Sequence, residues 1–422
     1  MSNYYLLILM LFPLLSSFFI FLIGEGHDKE NFKSVLSKLV YFTQFNLSIA
    51  AFFILKDYST TYHFIEMQSY HYELSFSLNK LHIYFAGIFS LLFILTEKLS
   101  FNYLHGEEEH SKFYSLKMIL NFATMAFIFS DNIDFLFFNW EIVGISSALL
   151  ISYFYRRNQA VEHSLFAYSV YRICDAAFLM AGLVLHYFFH SEMITTVAHG
   201  TEALILGLLI FMAIMGKSGI YPFSSWLPLA LEGPTPSSNL YYMTLSTHLG
   251  AIFLLKSSAL WESNMTVKMI MISVCALSIL ITSLSARVQT TIKGALAYST
   301  LSQVSLIIIE IVLGFHIFAA IHLGLHMFYR LSQMALAPSI IDKYNLMEHI
   351  TPLDKLERQS LSRSKLYFLA LSGFKSEEII KIIFKFFMLP FLFIYKIELL
   401  ILNFDKASEH EHNHATIGGG SK

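Results

Sequence analysis

Charge is what this chain lacks. Only 14% of its 422 residues are Asp, Glu, Lys or Arg, against roughly 25% in a soluble globular protein. The 28 basic and 30 acidic side chains nearly cancel, to a formal net charge of −2, which argues against nucleic acid as a partner. Cysteine is almost missing: Cys174 and Cys275 have neither metal nor disulfide spacing and read as small buried side chains. There is no CxxC, no GxGxxG and no P-loop, so the chain is expected to carry no cofactor of its own. Met1–Ile23 lacks a basic n-region and reads as a first membrane span rather than a cleavable signal.

Apolar runs of membrane-spanning length recur from end to end, and 55% of the residues are hydrophobic. Their continuity excludes the alternating pattern of a β-barrel and predicts an all-α, polytopic helical bundle. About twelve spans are expected from run length: 4–23, 35–55, 76–96, 114–130, 133–154, 164–188, 202–221, 238–256, 266–284, 295–313, 316–340 and 377–402. Basic residues concentrate in alternate connections. One set carries Lys29 and Lys33, then Lys98, Lys112 and Lys117, then Arg156 and Arg157, Arg287, and Lys343 to Lys365. The other set, 56–75, 131–134, 189–201, 257–265 and the turn near Gly314, is poor in them. The positive-inside rule places the first set in the cytoplasm and both termini outside.

The charges that do fall inside spans are the candidates for function. A charged side chain at mid-membrane costs roughly 2.5–3.5 kcal/mol on insertion scales, so it usually marks an ion path. Glu141 and Lys217 lie in separate apolar segments and can form a switchable pair, or a static ion pair that fixes packing. Pulling the glutamate away from Lys217 would leave a cation in low dielectric and favour proton release. Arg172 and Asp175, three residues apart, share a helix face and can neutralise each other or tune Glu141. His248 can pass a proton laterally. His322, His326 and Arg330 project from one face at i, i+4 and i+8; a zinc site would need a third ligand, and none is evident, so no metal is assigned. Arg330 stays charged and reads as a fixed local potential or a block. Lys293 opens the tenth span, where it can admit protons or snorkel to the interface. Gly219 and Pro222, just after Lys217, predict a broken helix that lines a polar cavity, or a helix end at the surface.

The order of these residues carries a resemblance. Asn139-Trp140-Glu141-Ile142-Val143-Gly144 resembles the WExxG signature of the antiporter-like proton-translocating subunits of complex I, the large Mrp antiporter subunits and the membrane subunit of the DAB inorganic-carbon system. Arg172 and Asp175 sit like that family's Arg-x-x-Asp. Gly216-Lys217-Ser218, Trp226-Leu227-Pro228 and Glu232-Gly233-Pro234-Thr235-Pro236 resemble its GKS, WLP and EGPTP block. Val288–Lys293, Leu296–Thr300 and Ser302-Gln303 resemble VQxDIK…LAYSTxSQ, and His322-x3-His326-x3-Arg330 resembles HLxxHxxxK with arginine for lysine. The likeness runs from about Phe76 to Ile341. Tyr242 departs from a histidine found in many members, and His248 stands where several have lysine or alanine.

The resemblance implies an inverted-repeat core with a shortened C-terminal part. It divides the chain into N-terminal spans (1–110), a first antiporter-like repeat (111–262), a partial second repeat (263–341), a cytoplasmic connector (342–376), a last span (377–404) and a disordered His-rich tail (405–422). Gly373–Glu378 is reminiscent of the family's exit motif, while Leu389-Pro390 and Asp405 fit its last helix. Gly418–Lys422 resembles an appended linker. The implied function is a proton- or Na⁺-moving translocase subunit of the cell inner membrane. Its relay would run through Glu141, Lys217, His248, His322 and His326, tuned by Arg172, Asp175, Lys293 and Arg330. Its partners would be the lipid bilayer and either further antiporter-like subunits or, in a DAB-type carbon-uptake system, a large soluble zinc protein. A degenerate, non-conducting scaffold subunit is the other alternative.

The loop asymmetry yields a direct test. Cysteines introduced at Arg156–Gln159 and Leu356–Arg363 should react only from the cytoplasm, and those at His63–Tyr70 and the C-terminal tail only from outside. Labelling of the tail and the 356–363 stretch from the same side would contradict a last span at 377–404.

Overall fold

The computed structural model describes residues 2–54, 58–67, 70–107, 109–350 and 365–391, together with 393, 395 and 396. Helix is the only way to close backbone hydrogen bonds within a single apolar run, and the long runs fold accordingly. In chain order they are α1 (Ser2–Ile23), α2 (His27–Ile54), α3 (Lys80–Leu104), α4 (His110–Phe129), α5 (Ile133–Ile151), α6 (Asn158–Phe189), α7 (Gly200–Ser218), α8 (Thr247–Lys256), α9 (Met265–Val288), α10 (Ile292–Val312), α11 (His316–Ile350) and α12 (Lys365–Leu371). Eight helices among the described residues are long and apolar enough to cross a membrane. Their outward faces carry large apolar side chains such as Phe18, Phe21, Phe53 and Leu280, the surface a lipid environment requires.

Polar caps set the helix starts. Asn79 accepts from the His82 amide at 2.8 Å, and Asn132 accepts from the Asp134 and Phe135 amides at 2.8 and 3.0 Å. The end of α4 is closed by a side chain from another helix. Lys256 of α8 donates to the carbonyls of Phe127, Ile128 and Ser130 at 3.0, 2.5 and 2.6 Å, supplying donors to carbonyls the helix leaves unpaired.

The connection at 56–75, read from sequence as an outer loop, forms a hairpin. β1 (Tyr58–Met67) pairs antiparallel with β2 (Tyr70–Leu78), and α3 therefore starts at Lys80 rather than Phe76. The Asp131 amide donates to the Ser75 carbonyl and the Ile133 amide to the Glu192 carbonyl, so the hairpin, the 130–132 turn and the 190–199 loop gather at one end. The Ala198 amide donates to the Ala259 carbonyl, which brings the α8–α9 connection there too. The basic-rich connections gather at the other end. The Tyr155 hydroxyl donates to Glu109 at 2.8 Å, joining the α5–α6 and α3–α4 connections and holding the Glu109 carboxyl below its ordinary value. Lys33 and Lys117 depart from the sequence reading: both sit inside helices and are fully buried.

Close helix contacts are made over small residues. A Cβ at Gly216 of α7 would lie 2.4 Å from the Cys174 Cβ of α6, and one at Gly250 of α8 would lie 2.2 Å from the Ser218 Oγ of α7. The stretch at 365–376 packs on α9 and α10: Gln289 donates to the Leu371 carbonyl at 3.3 Å, and Gly373 leaves no room for a Cβ beside the Tyr298 hydroxyl. Residues 342–350 continue α11. Residues 377–391 form a helical unit of their own. Apart from 393, 395 and 396, the remainder of the expected last span, the connector residues 351–364 and the His-rich tail lie outside the described residues.

The α6–α7 contact predicts that Gly216→Ala destabilises the bundle by about 1–3 kcal/mol, the usual cost of overpacking. A thermal-unfolding midpoint in detergent equal to that of the unchanged chain would contradict so tight a crossing.

Candidate functional site

Glu141 lies on α5, in the apolar run Phe135–Tyr153, with its side chain 14% exposed. Its ion-pair partner is Arg172 of α6. Arg172 also reaches Asp175 at 3.0 Å, one turn along its own helix, and lies over the Tyr168 ring. Asp175 accepts in addition from the Trp140 indole N–H at 2.5 Å. Lys217, at the end of α7, is fully buried. It donates to the Trp140 carbonyl at 2.9 Å and stands 4.7 Å from the centres of both the Trp140 and Tyr171 rings.

Four charges, two of each sign, therefore share one cluster, with Asp175 and Lys217 buried and Glu141 and Arg172 partly exposed. The expected direct pair between Glu141 and Lys217 is not formed. Arg172 takes the glutamate, and the lysine is held by a carbonyl dipole and two aromatic faces, an arrangement that stabilises the cation without committing a carboxylate to it. Gly144 makes the space: a Cβ there would sit 3.2 Å from the Lys217 Nζ. In sequence terms this is the glycine of the WExxG pattern, and its role is to let the lysine approach the α5 backbone.

α7 stops one residue after Lys217. Gly219 adopts a left-handed conformation (φ 64°), its amide bonds the Gly216 carbonyl, and the Ile220 amide bonds the Met215 carbonyl. The Trp226 indole donates to the Gly216 carbonyl at 2.9 Å, and the Tyr221 amide donates to Ser278 of α9 at 3.2 Å. The chain around Pro222 is thus irregular but enclosed: Ile220, Phe223 and Ser224 are buried. Beyond it, Ser238–Ser246 is a nine-residue π-helix leading into α8. Such wide turns are rare and recur at functional sites. This one delivers His248, fully buried, beside the α7 terminus, where the buried Ser218 hydroxyl has no partner among the described residues.

From His248 a chain of bonds runs to α11. His248 Nε2 and His326 Nδ1 are 2.8 Å apart, and Arg330 Nε donates to His326 Nε2 at 2.9 Å. Arginine only donates, so Nε2 of His326 must accept. A neutral His326 then carries its proton on Nδ1 and donates it to His248 Nε2. His248 in turn carries its proton on Nδ1, facing the Thr247 hydroxyl at 3.1 Å. One arginine sets the tautomers of two histidines. Arg330 is itself fixed by Gln333 at 2.8 Å and Ser299 at 2.7 Å. His322, one turn from His326, is held by Glu310 of α10 at 3.0 Å. A cavity of about 710 Å³ opens onto His322, His326, Arg330 and Arg287.

Lys293 stands apart from this chain, bonding Thr235 at 3.3 Å in the EGPTP segment. The sequence reading gave no role to Glu310, Trp140, Tyr171 or Ser299. Glu310 carried the same signal as Glu141, an acid in the apolar run 304–313; Trp140 and Ser299 entered only as members of the WExxG and LAYST resemblances, and Tyr171 has no distinguishing pattern. Asp134, His186 and Glu192, at the hairpin end, bring ligand-type atoms within 4.8 Å of one another, with His186 2.9 Å from Asp134.

Residues 130–373, more than half of the chain and including every candidate relay residue, match the profile of the NADH:quinone oxidoreductase/Mrp antiporter transmembrane family. The chain belongs to this family. Its antiporter-like core is 30% identical over 296 residues to NADH-ubiquinone oxidoreductase chain 5 of Ceratotherium simum, covering 68% of this chain and 48% of that protein. The protein of the same name from Cryphonectria parasitica is 30% identical over 297 residues, covering 67% and 45%. The chain thus spans about half the length of the curated relatives it matches. Among solved structures, the Mrp complex of Dietzia sp. DQ12-45-1b superposes with a TM-score of 0.69 at 20% identity, over 79% of this chain and 36% of that one. The archaeal membrane-bound sulfane sulfur reductase superposes with a TM-score of 0.67 at 18% identity, over 77% and 69%. The fold of this antiporter-like chain is that of a helical membrane bundle.

The tautomer argument makes Arg330 an orienting group. Arg330→Lys should retain most coupled activity, since a cation and a donor remain. Arg330→Ala should lower it about 10–100-fold, by analogy with the loss seen when a partner that orients a metal-ligating histidine is removed. Full activity in the alanine variant, measured in the assembled complex, would rule the orienting role out.

Proposed function

We propose that this chain is a proton-translocating membrane subunit of a multi-subunit complex, with Glu141, Lys217, His248, His322 and His326 as its relay. The observation that carries the reading is the buried 2.8 Å contact between His248 and His326, one π-helical segment away from a four-charge cluster. A static packing device needs charge neutrality. It does not need two imidazoles joined nitrogen to nitrogen.

In this reading Arg172 and Lys217 compete for Glu141. With Glu141 on Arg172, as here, Lys217 keeps its proton through the Trp140 carbonyl and the two rings. A swing of Glu141 to Lys217 closes a direct pair; its return leaves Lys217 with weaker support and favours transfer toward α8. In the orientation seen here His248 Nδ1 already bears its proton and Nε2 accepts from His326, so His248 becomes the acceptor once the row reverses; His326 and His322 then continue the path to the cavity. Arg330 holds His326 Nε2 from the far side, so protons leave beside His322 or through a neighbouring subunit rather than through the guanidinium.

The names of the relatives, an NADH-ubiquinone oxidoreductase chain, an Mrp complex and an archaeal respiratory membrane complex, support a respiratory or antiporter-type membrane assembly over the inorganic-carbon reading. The unbroken bonding from Arg330 to Thr247 supports conduction over a scaffold role.

Glu141→Gln and Lys217→Ala should each abolish ion-coupled activity in vesicles while the protein still inserts and assembles. Wild-type proton uptake in either variant would sink the proposal.

A further inference from the structure

A second buried polar system lies in the N-terminal helices, outside the residues matched by the family profile. On α2 the residues Glu30, Ser34, Ser37, Tyr41, Gln44 and Ser48 recur every three or four positions and, with Lys33 beside Ser34, are all buried. That spacing is one face of a helix, and here the face is polar. It meets Glu97 and Ser100 of α3 and Lys117 and Asn121 of α4. Lys117 donates to Glu97 at 2.5 Å, with side-chain exposures of 0% and 1%. Ser34 donates to the other Glu97 oxygen at 3.0 Å, and Lys117 also reaches Ser100 at 3.2 Å and lies 5.3 Å over the Tyr41 ring.

The seam reaches the basic-loop end. Glu30, itself buried, meets His105 at 3.2 Å, and the His105 side chain is 72% exposed. Beside it, the exposed Glu25 bonds His110 at 3.1 Å, and His110 in turn meets the buried Lys33 at 3.2 Å. In the other direction, Asn121 donates to Gln44 at 2.8 Å. Glu30 to Gln44 is about 21 Å along the helix at 1.5 Å per residue. Three atoms within this seam, Glu30 Oε1, Ser37 Oγ and Asn121 Oδ1, are buried and bond no protein group among the described residues. A pair kept only for packing is expected to have its surroundings satisfied, because each orphaned polar atom costs about 1–3 kcal/mol. Orphaned atoms in a polar seam are seats for water.

We infer that the Glu97–Lys117 pair is a second proton-exchange site, loaded from the basic-loop end through Glu30 and Ser34. The titratable groups that face the pair are Glu30, Lys38 and Tyr41 of α2 and Tyr114 of α4; α1 contributes no charged side chain. The exchange is a simple acid–base step. A proton from water enters by Glu30, passes the Ser34 hydroxyl and rests on the Glu97 oxygen that Ser34 touches, while the other oxygen keeps its bond to the Lys117 ammonium. This site does not depend on the relay proposed above.

The test is infrared difference spectroscopy of the full chain in lipid, stepping the pH and following protonated-carboxyl bands. One band should be lost in Glu97→Gln, should persist in Glu141→Gln, and should shift in Ser34→Ala, which removes its hydrogen-bond donor. A Glu97→Gln spectrum equal to that of the unchanged chain overturns the inference. Where Glu97→Gln leaves Lys117 unpaired and the chain fails to assemble, Glu97→Gln/Lys117→Met replaces it, and retention of every band in that variant overturns the inference equally. Failure of the main relay would appear instead as normal flux in Glu141→Gln, with the Glu97 band untouched.

Discussion

The cost of an uncompensated charge away from water governs this molecule. Buried cations here are met by carboxylates, carbonyls, rings or hydroxyls: Lys217 by Trp140 and Tyr171, Lys117 by Glu97, Lys256 by the three carbonyls that end α4. Breaking a buried pair by removing one partner typically costs 3–5 kcal/mol, because the other charge is left stranded. That penalty ties helices together. It also makes the alternatives discrete: a lysine released by one partner must find another, so the cluster has a few defined states rather than a continuum.

Irregular backbone puts these states within reach of one another. α7 ends at Ser218 with a glycine in the left-handed region, and α8 begins in a π-helix. Both departures cost backbone order, and both fall between Lys217 and His248. The small residues Gly216 and Gly250 then let α6, α7 and α8 approach closely enough for the two charge-bearing segments to meet. Regular, well-separated helices would leave the cluster and the histidine chain as two unconnected sites.

Much of this was legible in the sequence, for a physical reason. Charges in apolar runs are rare because they are expensive, so Glu141, Lys217, His248, His322 and His326 stood out. The long runs likewise announced a helical membrane bundle. The partners did not stand out, because pairing is a tertiary fact: nothing in the order of residues says that Glu141 rests on Arg172 rather than Lys217, or that His248 bonds His326. Lys33 and Lys117 lie near run boundaries and read as loop charges; only the opposing Glu25, His110 and Glu97 show why they can be buried. The hairpin at 58–78 was overlooked although its alternating aromatic and polar residues have the period of a strand. Its position between two long apolar runs favoured reading it as a simple connection.

For the proposed relay, the direction of the hydrogen bonds from Arg330 to Thr247 has a kinetic consequence. A wire of neutral imidazoles passes a proton by exchanging which nitrogen of each ring bears hydrogen. After one passage the whole row points the opposite way and cannot repeat the event. It must be reset, by turning rings inside a packed core or by withdrawing the guanidinium that defines the starting orientation. The pace of such a device is governed by reorientation rather than by the hop itself, and a neighbouring subunit able to nudge Arg330 would hold the clock.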